Sequence, residues 1–382
     1  MEQRPANTIA PTTASTMTSA ISPGAVSRRL LMLAAAMGAL PGEASGAVPT
    51  VAGLASPAKW APRQIPARTL SVPETVSPAL QAVMAAPYPE NWNIVPRTPA
   101  AWRVLAAESS AAVAPLLPLI RQRLSVRVAR AKMAGVNVFL ATPDPLPIAN
   151  RGRLLLHLHG GGYVLFPGEA GAGEAMLMAG YGRFQVVSVD YRMAPDHPFP
   201  TALDDAMAVW HALLADHDPR RMGIFGSSAG GGLTLALLLR AKAEGVKLPA
   251  AIAPGTPWSD LTSASDSLRT NEFVDNVLVS YSGWAGAAAS LYANGRSLED
   301  PLLSPIYGDF RGFPPAMLTS GTRDLFLSNT VRAHRKLRRS GVEASLQLFE
   351  GQSHAQFLTP FVPETEEAFG EIALFFDRHL RT

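Results

Sequence analysis

The segment Gly226-Ser227-Ser228-Ala229-Gly230 sets a serine between glycines two positions to either side. A sharp strand-to-helix turn brings neighbouring backbone close, so its flanks must lack side chains, and it lifts the central hydroxyl above a helix N-terminus. Residues 222–225 read as a short apolar strand and 233–243 as a buried helix, with small residues through Gly232 between them. Ser228 is therefore the candidate nucleophile; the competing reading is an ordinary glycine-rich turn. A second cluster, His159-Gly160-Gly161-Gly162, follows the apolar run 154–158. Consecutive glycines leave backbone N–H groups unshielded, able to face a developing oxyanion at roughly 3 kcal/mol per donor. A phosphate-binding loop fits less well, because no G-x-x-x-x-G-K-[ST] pattern is present.

A serine nucleophile needs a base and an acid to orient it. In strand–serine–helix hydrolases they follow in the order Ser, Asp or Glu, His. Of eight histidines, only His334, His354 and His379 come after Ser228. The first and last fall within helical patterns, whereas His354 lies in a loop directly after the strand pattern 345–349. Asp324 follows the strand pattern 316–319 and precedes a helix; Asp260, Asp266, Asp275, Asp300 and Asp309 sit in irregular segments with no strand directly before them, and Asp377 is on the last helix. Asp324 is thus the candidate acid, although an N-cap role would suit it equally. In this arrangement His354 takes the Ser228 proton, Asp324 holds the imidazole tautomer, and Ser228 attacks a carbonyl to give an acyl-enzyme.

The elements that must position these residues are short apolar strands alternating with helices. Residues 125–131 and 136–141 pair around Gly135; 154–159, 184–191, 222–225, 250–253, 316–319 and 345–349 are further strands; 201–215, 233–243, 325–339 and 364–380 are helices. This alternation predicts an α/β fold with a mostly parallel sheet covered on both faces, where chemistry sits at the carboxyl ends of strands. Upstream, residues 78–123 read as helices interrupted by proline, with Trp92, Trp102, Leu116, Leu117, Leu119 and Ile120, and 48–77 as a proline-rich arm or linker.

Composition narrows the rest. The chain has 382 residues, 33 Lys+Arg against 30 Asp+Glu and no cysteine. It is too apolar to be disordered, and the missing cysteines exclude disulfide scaffolds, thiolate metal sites and a cysteine nucleophile. The basic residues are scattered without the stripe of a nucleic-acid binder. Those at the end of helix 325–339 (Arg332, Arg335, Lys336, Arg338, Arg339) read as a solvated face at a helix C-terminus. His157 and His159 could share one strand face as metal ligands, but no acidic third ligand follows closely; no metal and no cofactor is expected. Arg28-Arg29, the 11-residue apolar run 30–40 and the small residues to Ala47 read as a signal peptide of twin-arginine type, placing the mature protein in the periplasm or outside the cell, or in the cytoplasm if the segment is no signal. Every later apolar run is broken by charge, Gly or Pro, so no stable membrane span is expected.

From about residue 154 to 380 the chain resembles the bacterial hormone-sensitive-lipase-like esterases of the α/β-hydrolase fold. The resemblance rests on His159-Gly160-Gly161-Gly162-Tyr163, the run Asp190 to Pro200 (DYRMAPDHPFP), Gly226 to Gly231, Asp300-Pro301-Leu302-Leu303-Ser304-Pro305, and Arg323-Asp324-Leu325 followed by His354. It implies Ser228, Asp324 and His354 as the triad, an oxyanion hole from the N–H groups of Gly161, Gly162 and Ala229, and a structural role for His159 and Gly160 in bracing the glycine loop. Residues 78–123 take the place of the family's helical cap, ahead of a catalytic domain over 124–382. Ser227 stands where many members carry Asp or Thr, which places the chain nearer the branch with a hydroxyl before the nucleophile; Leu325-Phe326 and Ala355 also depart from the common pattern. The implied activity is hydrolysis of a small-molecule carboxylic ester of short to medium chain. An amidase or lactonase using the same triad, or a non-catalytic ligand-binding relative, are the alternatives. The oligomeric state stays open, a homodimer included.

Overall fold

A computed structural model describes residues 62–381, so Arg28-Arg29, the apolar run 30–40 and Ala47 lie outside the described residues. From Arg68 onward the chain forms one unit built on eight strands: β1 Val126–Met133, β2 Val136–Pro143, β3 Leu154–Leu158, β4 Gln185–Val189, β5 Met222–Ser227, β6 Ala251–Gly255, β7 Ala316–Gly321 and β8 Ala344–Phe349. They lie in the order β1-β2-β4-β3-β5-β6-β7-β8. The β1–β2 and β2–β4 pairs are antiparallel and the others parallel. Ala134 (φ 48°) and Gly135 (φ 82°) make the two-residue turn between β1 and β2; positive φ at both positions matches the twist of the strands they join.

The helices are α1 Pro78–Met84, α2 Pro99–Val113, α3 Leu116–Arg123, α4 Gly173–Tyr181, α5 Thr201–Asp216, α6 Ala229–Ala243, α7 Ser267–Thr270, α8 Trp284–Ala293, α9 Leu327–Arg339 and α10 Pro363–His379. Two apolar layers flank the sheet. Leu154, Leu156 and Leu158 of β3 face the layer formed with α5, α6, α8 and α9, while Leu155 faces the one formed with α3, α4 and α10. Alternate residues of one strand thus serve two cores. Both faces being covered, β3, β5, β6 and β7 are buried along their whole length and read as short continuous apolar runs.

The stretch Pro99–Arg123 is long and apolar enough to cross a membrane by length and composition; it forms two consecutive helices, with Trp102, Leu105, Leu117 and Ile120 buried. Two expectations need correction. The proline-rich segment expected to be an arm or linker is tied down just before residue 78. Arg323 Nη2 donates to Ser71 O (2.7 Å), and Ser77 donates its backbone N–H and hydroxyl to Glu364 (2.7 and 2.8 Å) while capping α1. Nor is the basic end of α9 merely solvated: Arg332 pairs with the buried Asp260 at 2.5 Å, and Lys336 donates to Ile306 O.

The tightest crossing joins β3 to the start of α6. A methyl group on Gly226 would lie 1.9 Å from Leu158 O, and one on Gly230 1.8 Å from the same atom. Neither position can yield, because the obstacle is central-strand backbone. Gly370 on α10 is the opposite case: nothing lies within 4 Å of its added methyl. Gly230→Ala should therefore lower stability by about 3 kcal/mol or more, whereas Gly370→Ala should raise it by about 1 kcal/mol through helix propensity. Chemical denaturation of the two purified variants against wild type checks the opposite signs.

Candidate active site

Ser228 sits between β5 and α6 with φ 60° and ψ −124°, a conformation that costs a non-glycine residue on the order of 1–3 kcal/mol. Hydrogen bonds hold it there: its N–H donates to Gly255 O (2.9 Å), and its carbonyl accepts from Gly232 N (3.0 Å) and Trp258 N (2.9 Å). The side chain lines a cavity of about 500 Å³ that His354 also lines.

His354 follows β8, and its ring is almost wholly buried. Nδ1 lies 2.9 Å from Asp324 Oδ1 and 3.1 Å from Thr256 Oγ1, while Nε2 has no hydrogen-bond partner within the protein. A carboxylate can only accept, so the network assigns the proton to Nδ1 and leaves the Nε2 lone pair free. Phe326 packs edge-on against the imidazole, with centroids 4.8 Å apart. Asp324, fully buried after β7, accepts from Phe326 N (2.7 Å), Ser320 Oγ (2.6 Å) and the Thr256 hydroxyl. Burial works against its charge, but His354 and the Ser320 and Thr256 hydroxyls outweigh that penalty and hold its carboxyl below the usual range. The bond from Phe326 N closes a local turn ahead of α9, which starts at Leu327 without a side-chain cap, so Asp324 does not serve as its N-cap.

The glycine loop after β3 meets Ser228 directly: a methyl on Gly160 would lie 3.0 Å from Ser227 O and 3.3 Å from Ser228 Cβ. Gly161 (φ 106°) and Gly162 (φ 62°) take conformations open to glycine, and a methyl on Gly161 would meet Leu165 O at 2.6 Å. Ala229 is the first residue of α6, so its N–H belongs to that helix N-terminus. His159 braces the loop from beneath. Its ring stacks on Tyr191 at 4.1 Å and its Nδ1 bonds Gly160 O at 2.7 Å, while Tyr191 donates its hydroxyl to His159 O at 2.7 Å. Burial pulls the His159 pKa down to about 4, which keeps the ring neutral. Both ring nitrogens of His157 are taken within the protein, by Ser188 Oγ (2.9 Å) and Glu174 (3.1 Å).

Ser228, His354 and the loop residues His159, Gly160 and Gly161 thus line one cavity, with Asp324 behind it against His354 Nδ1. Four neighbours are not marked by the sequence motifs: Thr256 and Ser320, which hold Asp324; Asp275, a loop aspartate whose carboxylate accepts from His354 N; and Glu174, whose carboxylate accepts from Ser227 Oγ at 2.7 Å. The placement of Thr256 and Ser320 at strand ends beside the others was a usable signal. Nothing local marks Glu174 or Asp275. Most of the remaining lining is apolar, from Val113, Leu116, Leu117 and Ile120 of the upstream helical segment together with Leu177, Val277, Leu278 and Trp284.

Comparison with known proteins agrees with this architecture. A family model described as the alpha/beta hydrolase fold matches residues 155–358. An esterase of Acinetobacter venetianus is 31% identical over 264 residues, covering 68% of this chain and 85% of that protein. An acetyl-hydrolase of Streptomyces hygroscopicus is 30% identical over 224 residues, covering 58% and 74%. Among solved structures, an esterase designated E25 superposes with a TM-score of 0.81 at 42% identity, covering 84% of this chain and 99% of its own. An esterase of the bacterial hormone-sensitive lipase family superposes with a TM-score of 0.63 at 28% identity, covering 69% and 90%. The chain is a carboxylic ester hydrolase and belongs to the bacterial hormone-sensitive-lipase-like esterases of the α/β-hydrolase fold.

Proposed function

We propose that this site hydrolyses esters of short- to medium-chain carboxylic acids through an acyl-enzyme, with Ser228 as nucleophile, His354 as general base and acid, and Asp324 as the group that orients the imidazole. The observation that carries the reading is the pairing of His354 Nδ1 with Asp324 at 2.9 Å, while Nε2 is left unpartnered in the cavity that Ser228 lines. As Ser228 Oγ bonds to the ester carbonyl carbon, its proton passes to His354 Nε2 and the carbonyl electrons move onto oxygen. The N–H groups of Gly161, Gly162 and Ala229 receive that oxyanion, each worth roughly 3 kcal/mol. Collapse of the intermediate expels the alcohol, which takes the proton from Nε2. Water then repeats the sequence on the acyl-enzyme and releases the acid.

Substrate size follows from the cavity. Val113, Leu116, Leu117 and Ile120 line it, and residues 78–123 act as the cap that limits its depth. Each methylene buried there contributes about 0.8 kcal/mol until the chain meets packed wall, where overpacking costs about 1–3 kcal/mol.

Ser228→Ala should lower ester hydrolysis by several orders of magnitude and abolish labelling by a serine-reactive phosphonate, with peptide mapping of the wild type finding the label on Ser228 alone. Activity and labelling retained in that variant would overturn the assignment. Across p-nitrophenyl esters, kcat/KM should rise and then fall, with an optimum at about four to eight carbons; a steady rise to sixteen would remove the cap from the reading. Stability should also report the neutral His159. Its folded pKa of about 4 lies below the ordinary value near 6.5, so between them the unfolded chain binds a proton that the folded protein refuses. This contribution is complete above the higher value and is lost as pH falls toward the lower. It amounts to about 2 kcal/mol between pH 7 and pH 5, and His159→Gln should lose that much less over the same interval in urea titrations.

A further inference from the structure

One buried carboxylate with four hydrogen bonds belongs to neither the nucleophile, the base nor the acid. Asp275 lies in the loop between α7 and α8 and is 0% exposed. One of its oxygens accepts from Val277 N (2.7 Å) and Leu278 N (2.9 Å), which fixes its own loop. The other accepts from Leu325 N (2.7 Å) and His354 N (3.0 Å). Leu325 directly follows Asp324. A single oxygen atom therefore grips the backbone of the base and the backbone next to the acid, from a segment that supplies no reacting group.

Burial and the nearby Asp324 push the Asp275 carboxyl up, while His354 and the N–H bonds from Leu325 and Val277 oppose that shift. Hydrogen bonds to the charged form favour it, and four donors facing one side chain suit a carboxylate that accepts at both oxygens. The next residue extends the contact. Asn276 N donates to Ser353 Oγ (3.1 Å), and Asn276 Oδ1 accepts from Ser353 Oγ and Gln356 Nε2 (2.8 Å each). Both flanks of His354 are thereby tied to the same loop.

We propose that Asp275 is a positioning residue for ester hydrolysis, setting the separation and alignment of Asp324 and His354 through the one oxygen shared by Leu325 N and His354 N. The inference rests on the reading of Asp324 and His354 as acid and base. A positioning role differs from a structural one in what it changes. Loss of fold removes active molecules and leaves the survivors normal, whereas misalignment leaves every molecule present and slow. Misplacement by about 1 Å can cost on the order of 100-fold in rate.

The test is Asp275→Asn, which keeps the shape but turns one acceptor into a donor facing N–H groups. It is assayed on p-nitrophenyl butyrate with active sites counted by burst titration with the phosphonate. Per titrated site, kcat should fall about 100-fold with KM within about threefold, and the phosphonate should label Ser228 correspondingly slowly. A per-site kcat within threefold of wild type, with only the number of sites reduced, would overturn the proposal. If the Asn variant does not fold, Asp275→Glu keeps the charge and displaces it by one methylene. Its per-site kcat should fall about tenfold, and an unchanged value would be equally fatal. Ser228→Ala and His354→Ala, run in parallel, separate the two readings. Their inactivity beside a normal Asp275→Asn rejects the positioning role alone, and their activity rejects the triad on which it rests.

Discussion

Leu158 O, at the carboxyl end of a central strand, is crowded by two glycines of the neighbouring strand–turn–helix, and no heavier residue fits at either. That crossing links two things that acyl transfer requires at one point. Leu158 ends the strand that feeds the glycine loop, and Gly226 and Gly230 bracket the turn carrying Ser228. The loop and the serine come together because their backbones touch, with Gly160 against Ser227 O and Ser228 Cβ. The unfavourable φ of Ser228 is the local expense of the same crossing, and bonds to Gly255, Gly232 and Trp258 sustain it.

Much of this was legible in the sequence because a parallel sheet places chemistry at strand ends, and strand ends show as apolar runs that stop at Gly, Ser or Asp. Ser228, Asp324, His354 and the loop from His159 to Gly162 were found that way. The strand patterns fell within a few residues of the observed bounds. What stayed hidden depends on contacts distant in sequence. Helix α4 is buried at six of its nine positions, so it shows no amphipathic period, and α8 is similarly rich in alanine; neither was foreseen. Helix α6 begins four residues before the expected 233, because its first turn is the glycine-rich elbow and not an apolar stripe. Asp275 has no strand directly before it. Its partners lie 50 and 79 residues away, a distance at which local pattern carries no information.

The electrostatics of the base follow from burial with selective compensation. Asp324 and Asp275 are both fully buried, yet their carboxyl pKa values move in opposite directions. Asp324 faces the imidazole and two hydroxyls, which reward its charge; Asp275 faces backbone amides and feels Asp324 as a like charge. The cavity beside them is almost entirely apolar, which sharpens every interaction with the reacting oxygen. Glu174 is the one carboxylate among its lining residues, and it is occupied by Ser227 and His157.

Asn276 also reaches upstream: its Nδ2 donates to Val83 O at 3.0 Å and Ala86 O at 3.2 Å, at the end of α1, while its Oδ1 holds the loop of His354. One amide therefore connects the entry helix, whose Val83 lines the cavity, to the loop that carries His354. Selectivity and turnover are in this way not separately adjustable. Grafting a foreign entry helix to change the acyl preference would carry the imidazole along with it, and a successful graft must reproduce the carbonyls of Val83, Met84 and Ala86 that Asn276 grips as well as the wall that the substrate touches.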